Sequence, residues 1–241
     1  MKFIQKLAYK NENYTTAEPL CAAFLGDSVT HGVFEIHAAA GGGIGIVMDY
    51  EAVYHAQWRN LMNGVYPNAP IHVINAGISG SSAADGLCRL DRDVLRYSPD
   101  LAVVCFGLND VNGGMEKLEE YGQTLECIFR RLMERGIETI FMTPNMLNTR
   151  VSPLTVPPSV VDFAANTAQM QNDGRMDAYM ERARVAAEAC GVALCDCYRK
   201  WKQLQAAGVD TTALLSNHIN HPNRQLHKLF ANALFDLMMY D

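Results

Sequence analysis

Leu20-Cys21-Ala22-Ala23-Phe24-Leu25-Gly26-Asp27-Ser28 decides the fold. Six residues without a charge run into a glycine, an aspartate and a serine. A short apolar run with no polar alternation, closed by turn residues, has the pattern of a strand buried on both faces of a parallel sheet. The same pattern recurs downstream. Residues 71–74 end at Asn75-Ala76-Gly77, residues 101–106 at Gly107, and residues 137–142 at Thr143-Pro144. Residues 192–194 form a weaker fifth run.

Helical stripes lie between these runs. Leu87, Leu90 and Val94 form one, and Leu118, Tyr121, Leu125, Ile128 and Leu132 a longer one. Met176, Tyr179, Met180, Ala183, Ala187 and Cys190 form a third. Leu226, Leu229, Phe230, Ala233, Leu234 and Leu237 form the last, with Pro222 ahead of it. Residues 49–62 are expected to be helical with a weaker period. Strand and helix alternate throughout, which predicts a single α/β domain over residues 1–241, with a parallel sheet of about five strands covered on both faces. Residues 1–19 form an N-terminal extension that either packs on its own domain or crosses to a partner. Residues 38–45, with four glycines, read as a mobile loop. Residues 144–174, with four prolines, read as a long loop that shapes a binding site.

Composition narrows the function classes. The 241 residues are 49% hydrophobic and 19% charged, an ordinary globular balance. Twenty Lys and Arg stand against 26 Asp and Glu, a formal charge of −6 without a basic tract, which argues against nucleic acid as a partner. No run approaches the ~18 apolar residues of a membrane span, and the start turns polar too soon for an export signal, so a cytoplasmic location is expected. The seven cysteines are odd in number and scattered, which disfavours a disulfide framework. Cys195 and Cys197 lack the further ligands of a zinc site, and His218, His221 and His227 lack the i, i+4 spacing of two ligands on one helical face. No metal or other cofactor is expected.

In an open parallel sheet, ligands bind beyond the carboxyl ends of the strands. Ser28, Gly80, Asn109 and, late in the chain, His221 all fall there. A hydroxyl at a strand-to-helix turn, an imidazole to take its proton, and backbone and side-chain N–H donors for an oxyanion are the parts of acyl transfer. Gly26-Asp27-Ser28, Gly80 in Asn-Ala-Gly-Ile-Ser-Gly, Asn109 in Gly-Leu-Asn-Asp and His221 in His-Pro-Asn resemble, in order and spacing, the four blocks of the SGNH (GDSL-like) hydrolases. The resemblance runs from about residue 20 to residue 239. It implies a three-layer α/β/α, flavodoxin-like fold and ester hydrolysis with Ser28 as nucleophile and His221 as base. The N–H groups of Ser28 and Gly80 and the Asn109 amide would form the oxyanion hole.

One position departs from the family. It places an aspartate three residues before the histidine, where this chain has His218. Losing the corresponding carboxylate in serine proteases lowers kcat by about 10⁴. Three readings follow. A backbone carbonyl orients His221, a carboxylate such as Asp196 or Asp210 does so, or the chain is a weak or non-catalytic carbohydrate-binding relative. The first is favoured, because the other three blocks are intact. Asp27 and Asp110 are expected to support the site by accepting loop N–H groups, and His227 to pack or lie at the surface. Cys105, inside the third run, is expected to be inert. The expected substrate is a small-molecule or carbohydrate ester with a short acyl group, most simply an O-acetylated sugar. A lysophospholipase or thioesterase is the alternative. A homo-oligomer is left open.

Overall fold

The strand run at the start of the chain is an interior strand, second from one edge, of a five-stranded parallel sheet. The computed structural model describes residues 1–240. After helix α1 (Lys2–Glu12) comes β1 (Leu20–Gly26), followed by the single-turn α2 (Ser28–His31). A hairpin of β2 (Val33–Ala38) and β3 (Ile44–Met48) leads to α3 (Tyr54–Val65) and β4 (Ile71–Gly77). Then come α4 (Ala83–Cys88), α5 (Leu90–Asp93), β5 (Leu101–Cys105), α6 (Leu118–Glu134) and β6 (Glu138–Met142). The chain closes with α7 (Val161–Asn172), α8 (Arg175–Cys190), β7 (Ala193–Cys195), α9 (Cys197–Ala206) and α10 (Arg224–Tyr240).

The sheet order is β4-β1-β5-β6-β7, with every pairing parallel. Helices flank both faces, giving the three-layer α/β/α arrangement of flavodoxin-like folds. α3 packs with α10 and α6 with α8. All five residues of β5 and six of seven in β1 are buried, which is why these segments carry no polar alternation. Strand order reverses at β1, whose neighbours are β4 and β5. There Gly26 pairs in register with both Gly77 and Cys105. Three strand ends therefore finish level, and the loops that follow them open at one edge. The N-terminal extension packs on its own chain. Phe3 and Leu7 are buried, the Phe3 ring lies 6.2 Å from Trp58, and Glu138 accepts from the Phe3 N–H at 2.6 Å.

Several sequence expectations need correction. Residues 144–174 are not one long loop, since α7 occupies the later part. Its buried face is largely polar or small (Ala164, Thr167, Ala168, Gln171), so no hydrophobic period marks it. That face is held by hydrogen bonds: Leu147 N–H donates to Gln171 Oε1 at 3.0 Å, and Thr167 Oγ1 donates to Asn148 Oδ1 at 2.6 Å. Residues 38–45 are the tip of the β2–β3 hairpin rather than a free loop, with Gly41, Gly42 and Gly43 at positive φ. The helix expected over 49–62 starts later, at Tyr54. The stripe of Leu87, Leu90 and Val94 spans two short helices broken at Arg89.

Candidate functional site

Ser28 opens α2 directly beyond β1. The turn is tight because two glycines allow it. A Cβ on Gly26 would lie 2.2 Å from Thr30 Oγ1, and one on Gly77 2.2 Å from the His31 nitrogen. Asp27 caps the turn, its Oδ1 accepting from the Val29 N–H at 2.9 Å. Below it the guanidinium of Arg89 donates to the carbonyls of Ala76 (2.6 Å) and Gly26 (2.8 Å), satisfying two strand-end acceptors that lie away from water. Arg89 had no sequence signal beyond being a charge inside an apolar stripe.

His221 arrives from the other end of the chain. Asn217 builds its turn, with Oδ1 accepting from the N–H groups of Ile219, Asn220 and His221, each at 3.0 Å. The imidazole Nε2 lies 2.9 Å from Ser28 Oγ, and Nδ1 lies 3.1 Å from the carbonyl oxygen of Phe34 on β2. A carbonyl only accepts, so Nδ1 carries the hydrogen and Nε2 is free to take one from Ser28. Ser28 and His221 are 6% and 7% exposed. Burial drives the His221 pKa down to about 4, with the Phe34 carbonyl and the Glu35 carboxylate opposing it. The ring is therefore neutral at physiological pH, the state in which it can act as a base.

Gly80 and Asn109 lie in the loops that follow β4 and β5. Gly80 lies in an exposed turn at φ +80°. Asn109 donates through Nδ2 to the Ser81 carbonyl at 2.9 Å. One amide hydrogen is thus committed to the loop carrying Gly80, which fixes the plane of the other. Asp110 accepts from the Ala83 N–H at 2.8 Å, joining the same two segments. Asp27 is buried and Asp110 half-buried, and desolvation raises their pKa values to about 7 and about 6.

The remaining candidates lie elsewhere. His218 adopts φ +57°, and its Nδ1 is 3.4 Å from the Thr212 carbonyl, so it does not orient His221. Asp196 is bound to Arg184, Arg199 and Thr143. Asp210 pairs with Arg150. His227 is fully buried and accepts from the Tyr54 N–H at 3.1 Å. Burial also pushes the Cys105 thiol well up. Among the described residues, no group of three or more His, Cys, Asp and Glu is arranged to hold a metal ion, and no helix is long and apolar enough to cross a membrane. Sequence reasoning missed Phe34 and Asn217. Asn217 had a faint signal, an Asx turn ahead of His221. Phe34 had none, because the group it offers is its backbone carbonyl.

The sequence matches the GDSL-like lipase/acylhydrolase family over residues 24–229. It is 35% identical over 132 residues to an acetylxylan esterase from Geobacillus stearothermophilus. That match covers 50% of this chain and 58% of the relative. The fold is similar to that of Axe2, an acetylxylan esterase from the same organism, with a TM-score of 0.67 at 23% identity over 92% of this chain and 95% of that one. It is also similar to the acetyl xylan esterase AlAXEase, with a TM-score of 0.68 at 19% identity over 91% and 100% of the two chains. Solved catalytic mutants of Axe2 alter a serine, a histidine and an aspartate three residues before that histidine.

Proposed function

Starting from the fact that the chain belongs to the GDSL-like lipase/acylhydrolase family, we propose that it hydrolyses a short-chain ester, most simply an acetyl group on a carbohydrate, with Ser28 as nucleophile and His221 as base. The observation that carries this reading is the 2.9 Å bond between Ser28 Oγ and His221 Nε2 at the level strand ends of the sheet. Ser28 Oγ attacks the ester carbonyl carbon while its proton passes to Nε2. The N–H groups of Ser28 and Gly80 and the free amide hydrogen of Asn109 stabilise the oxyanion. The C–O bond to the alcohol then breaks, and the alkoxide takes the proton from Nε2. Water, deprotonated by the same nitrogen, attacks the acyl-serine and releases the acid. Throughout, the Phe34 carbonyl holds the imidazole in the required tautomer and faces the imidazolium with the negative end of its dipole.

The carbohydrate acetyl substrate is supported by the likeness to acetylxylan esterases. It is tested by rates on acetylated xylooligosaccharides and on aryl esters from acetate to decanoate. A maximum at acetate, with acetate released from the sugar, is expected. A maximum at long chains would assign a lysophospholipase- or thioesterase-type acylhydrolase instead. A non-catalytic carbohydrate-binding role draws on a separate observation, the histidine at position 218 where an orienting aspartate would stand. Binding of acetylated sugar with no turnover of any ester would favour it.

A further inference from the structure

Charged side chains join the two segments that make the Phe34–His221 bond. Arg224, the first residue of α10, lies three positions after His221, and Glu35 directly follows Phe34 on β2. Arg224 donates through Nη1 and Nη2 to the two oxygens of Glu35, at 2.5 and 3.1 Å, and through Nε to Asp49 Oδ2 at 2.8 Å. Its guanidinium carbon lies 4.4 Å from the centre of the Phe34 ring. A rigid planar fork suits this double duty in a way an ammonium would not. Asp49 is fixed in turn. Its N–H donates to the Gly32 carbonyl at 2.9 Å, and its Oδ1 accepts from Glu51 and Ala52.

The cluster holds two carboxylates and one guanidinium, a formal charge of −1. An aspartate at position 218 would have brought the same charge. Here it comes along the strand whose carbonyl accepts from Nδ1. We infer that Glu35, clamped by Arg224 with Asp49 behind it, is a positioning residue for His221, fixing the Phe34 carbonyl on Nδ1 and supplying the negative field that the imidazolium requires. This inference rests on the reading of His221 as the base.

The other groups facing the ring do not supply that field. On α2, Ser28 is neutral. On α10, His227 is buried and burial pushes its pKa to about 3, so it too is neutral, while Arg224 is cationic and already engaged. The Glu35 carboxylate raises the His221 pKa against the larger effect of burial. The side chains of Glu35 and Arg224 are 38% and 39% exposed, so solvent screens the field and its effect is moderate.

The test combines kinetics on a short aryl ester with an NMR titration of the His221 ring, for the wild type, Glu35→Gln and Glu35→Asp. Glu35→Gln is expected to lower kcat about fivefold with KM nearly unchanged, and to move the His221 titration and the acid limb of kcat/KM together to lower pH. Glu35→Asp, which keeps the charge, is expected to restore part of both. An unmoved His221 titration in Glu35→Gln overturns the inference, even if kcat falls with the melting temperature, because the role is then structural. The titration does not depend on turnover. A wild type that hydrolyses no ester while Glu35→Gln still shifts the ring would defeat the functional reading and leave the Glu35–His221 coupling standing.

Discussion

The His221 ring donates through Nδ1 to the carbonyl oxygen of Phe34, 3.1 Å away, and its other nitrogen faces Ser28 Oγ at 2.9 Å. Orientation and tautomer of the imidazole are thus set by backbone of the β2–β3 hairpin. Fixed charge reaches the ring only from a distance, through the cluster around Arg224.

Aspartates upstream of His221 should therefore matter little to turnover. Asp196 is committed to Arg184, Arg199 and the Thr143 hydroxyl, and Asp210 to Arg150. Asp196→Ala and Asp210→Ala are each expected to keep kcat within about threefold of wild type, against the roughly 10⁴ lost when an orienting carboxylate is altered in a triad. Asp196→Ala should still cost about 1–2 kcal/mol of stability, because it removes the cap of α9 and one of the two carboxylates that hold the half-buried Arg184, leaving only Glu181. Steady-state kinetics alongside denaturant unfolding separates the two effects. A fall in kcat of about 10³ for either variant would identify a missing acid.

The pH profile follows from burial of the base. His221 must be neutral to accept a proton, and burial holds its pKa near 4 rather than the 6.5 of a free imidazole. Activity should stay level as pH falls through 6.5 and disappear only through about 4. The acid limb of kcat/KM, which reports the free enzyme, is the measurement. A limb near 6.5 would mean that the ring is solvated in the working protein.

Stability should depend on pH in the opposite sense to that of most carboxylates. Asp27 rises from 3.8 to about 7 on folding, mainly through burial, and Asp110 rises to about 6. Between these limits the folded chain holds protons that the unfolded chain has lost. Their contribution is complete below about pH 4 and is lost as pH rises through the folded values. In Asp27→Asn, the fall in melting temperature from pH 5 to pH 8 should shrink by a few degrees, read by calorimetry at both pH values. An identical fall in variant and wild type would show that Asp27 is ionised in the folded protein.

Much of this arrangement was legible in the sequence, and the gaps have physical causes. The five strands were readable because burial on both faces leaves uninterrupted apolar runs such as residues 101–106. Ser28, Gly80 and Asn109 were placed by the rule that loops beyond strand ends share one edge, and the register of Gly26 with Gly77 and Cys105 shows that edge to be level. The β2–β3 hairpin was not found, because its glycine-rich tip masks two short strands whose residues are half exposed. With the hairpin went the Phe34 carbonyl, a group every residue owns. α7 was missed because Thr167 and Gln171 hold its buried face through hydrogen bonds. Arg224 read as an ordinary helix-start residue. Its partners Glu35 and Asp49 lie more than 170 positions away in sequence, beyond the reach of any local pattern.

The central claim is that Ser28 is a nucleophile activated by His221. Its most direct test is covalent labelling by a fluorophosphonate, followed by intact mass and peptide mapping, on the wild type, Ser28→Ala and His221→Ala. The account predicts one adduct on Ser28 in the wild type, none in Ser28→Ala, and labelling slowed by about 10³ or more in His221→Ala. Labelling of Ser28→Ala at the wild-type rate, or no adduct in the folded wild type, would contradict it.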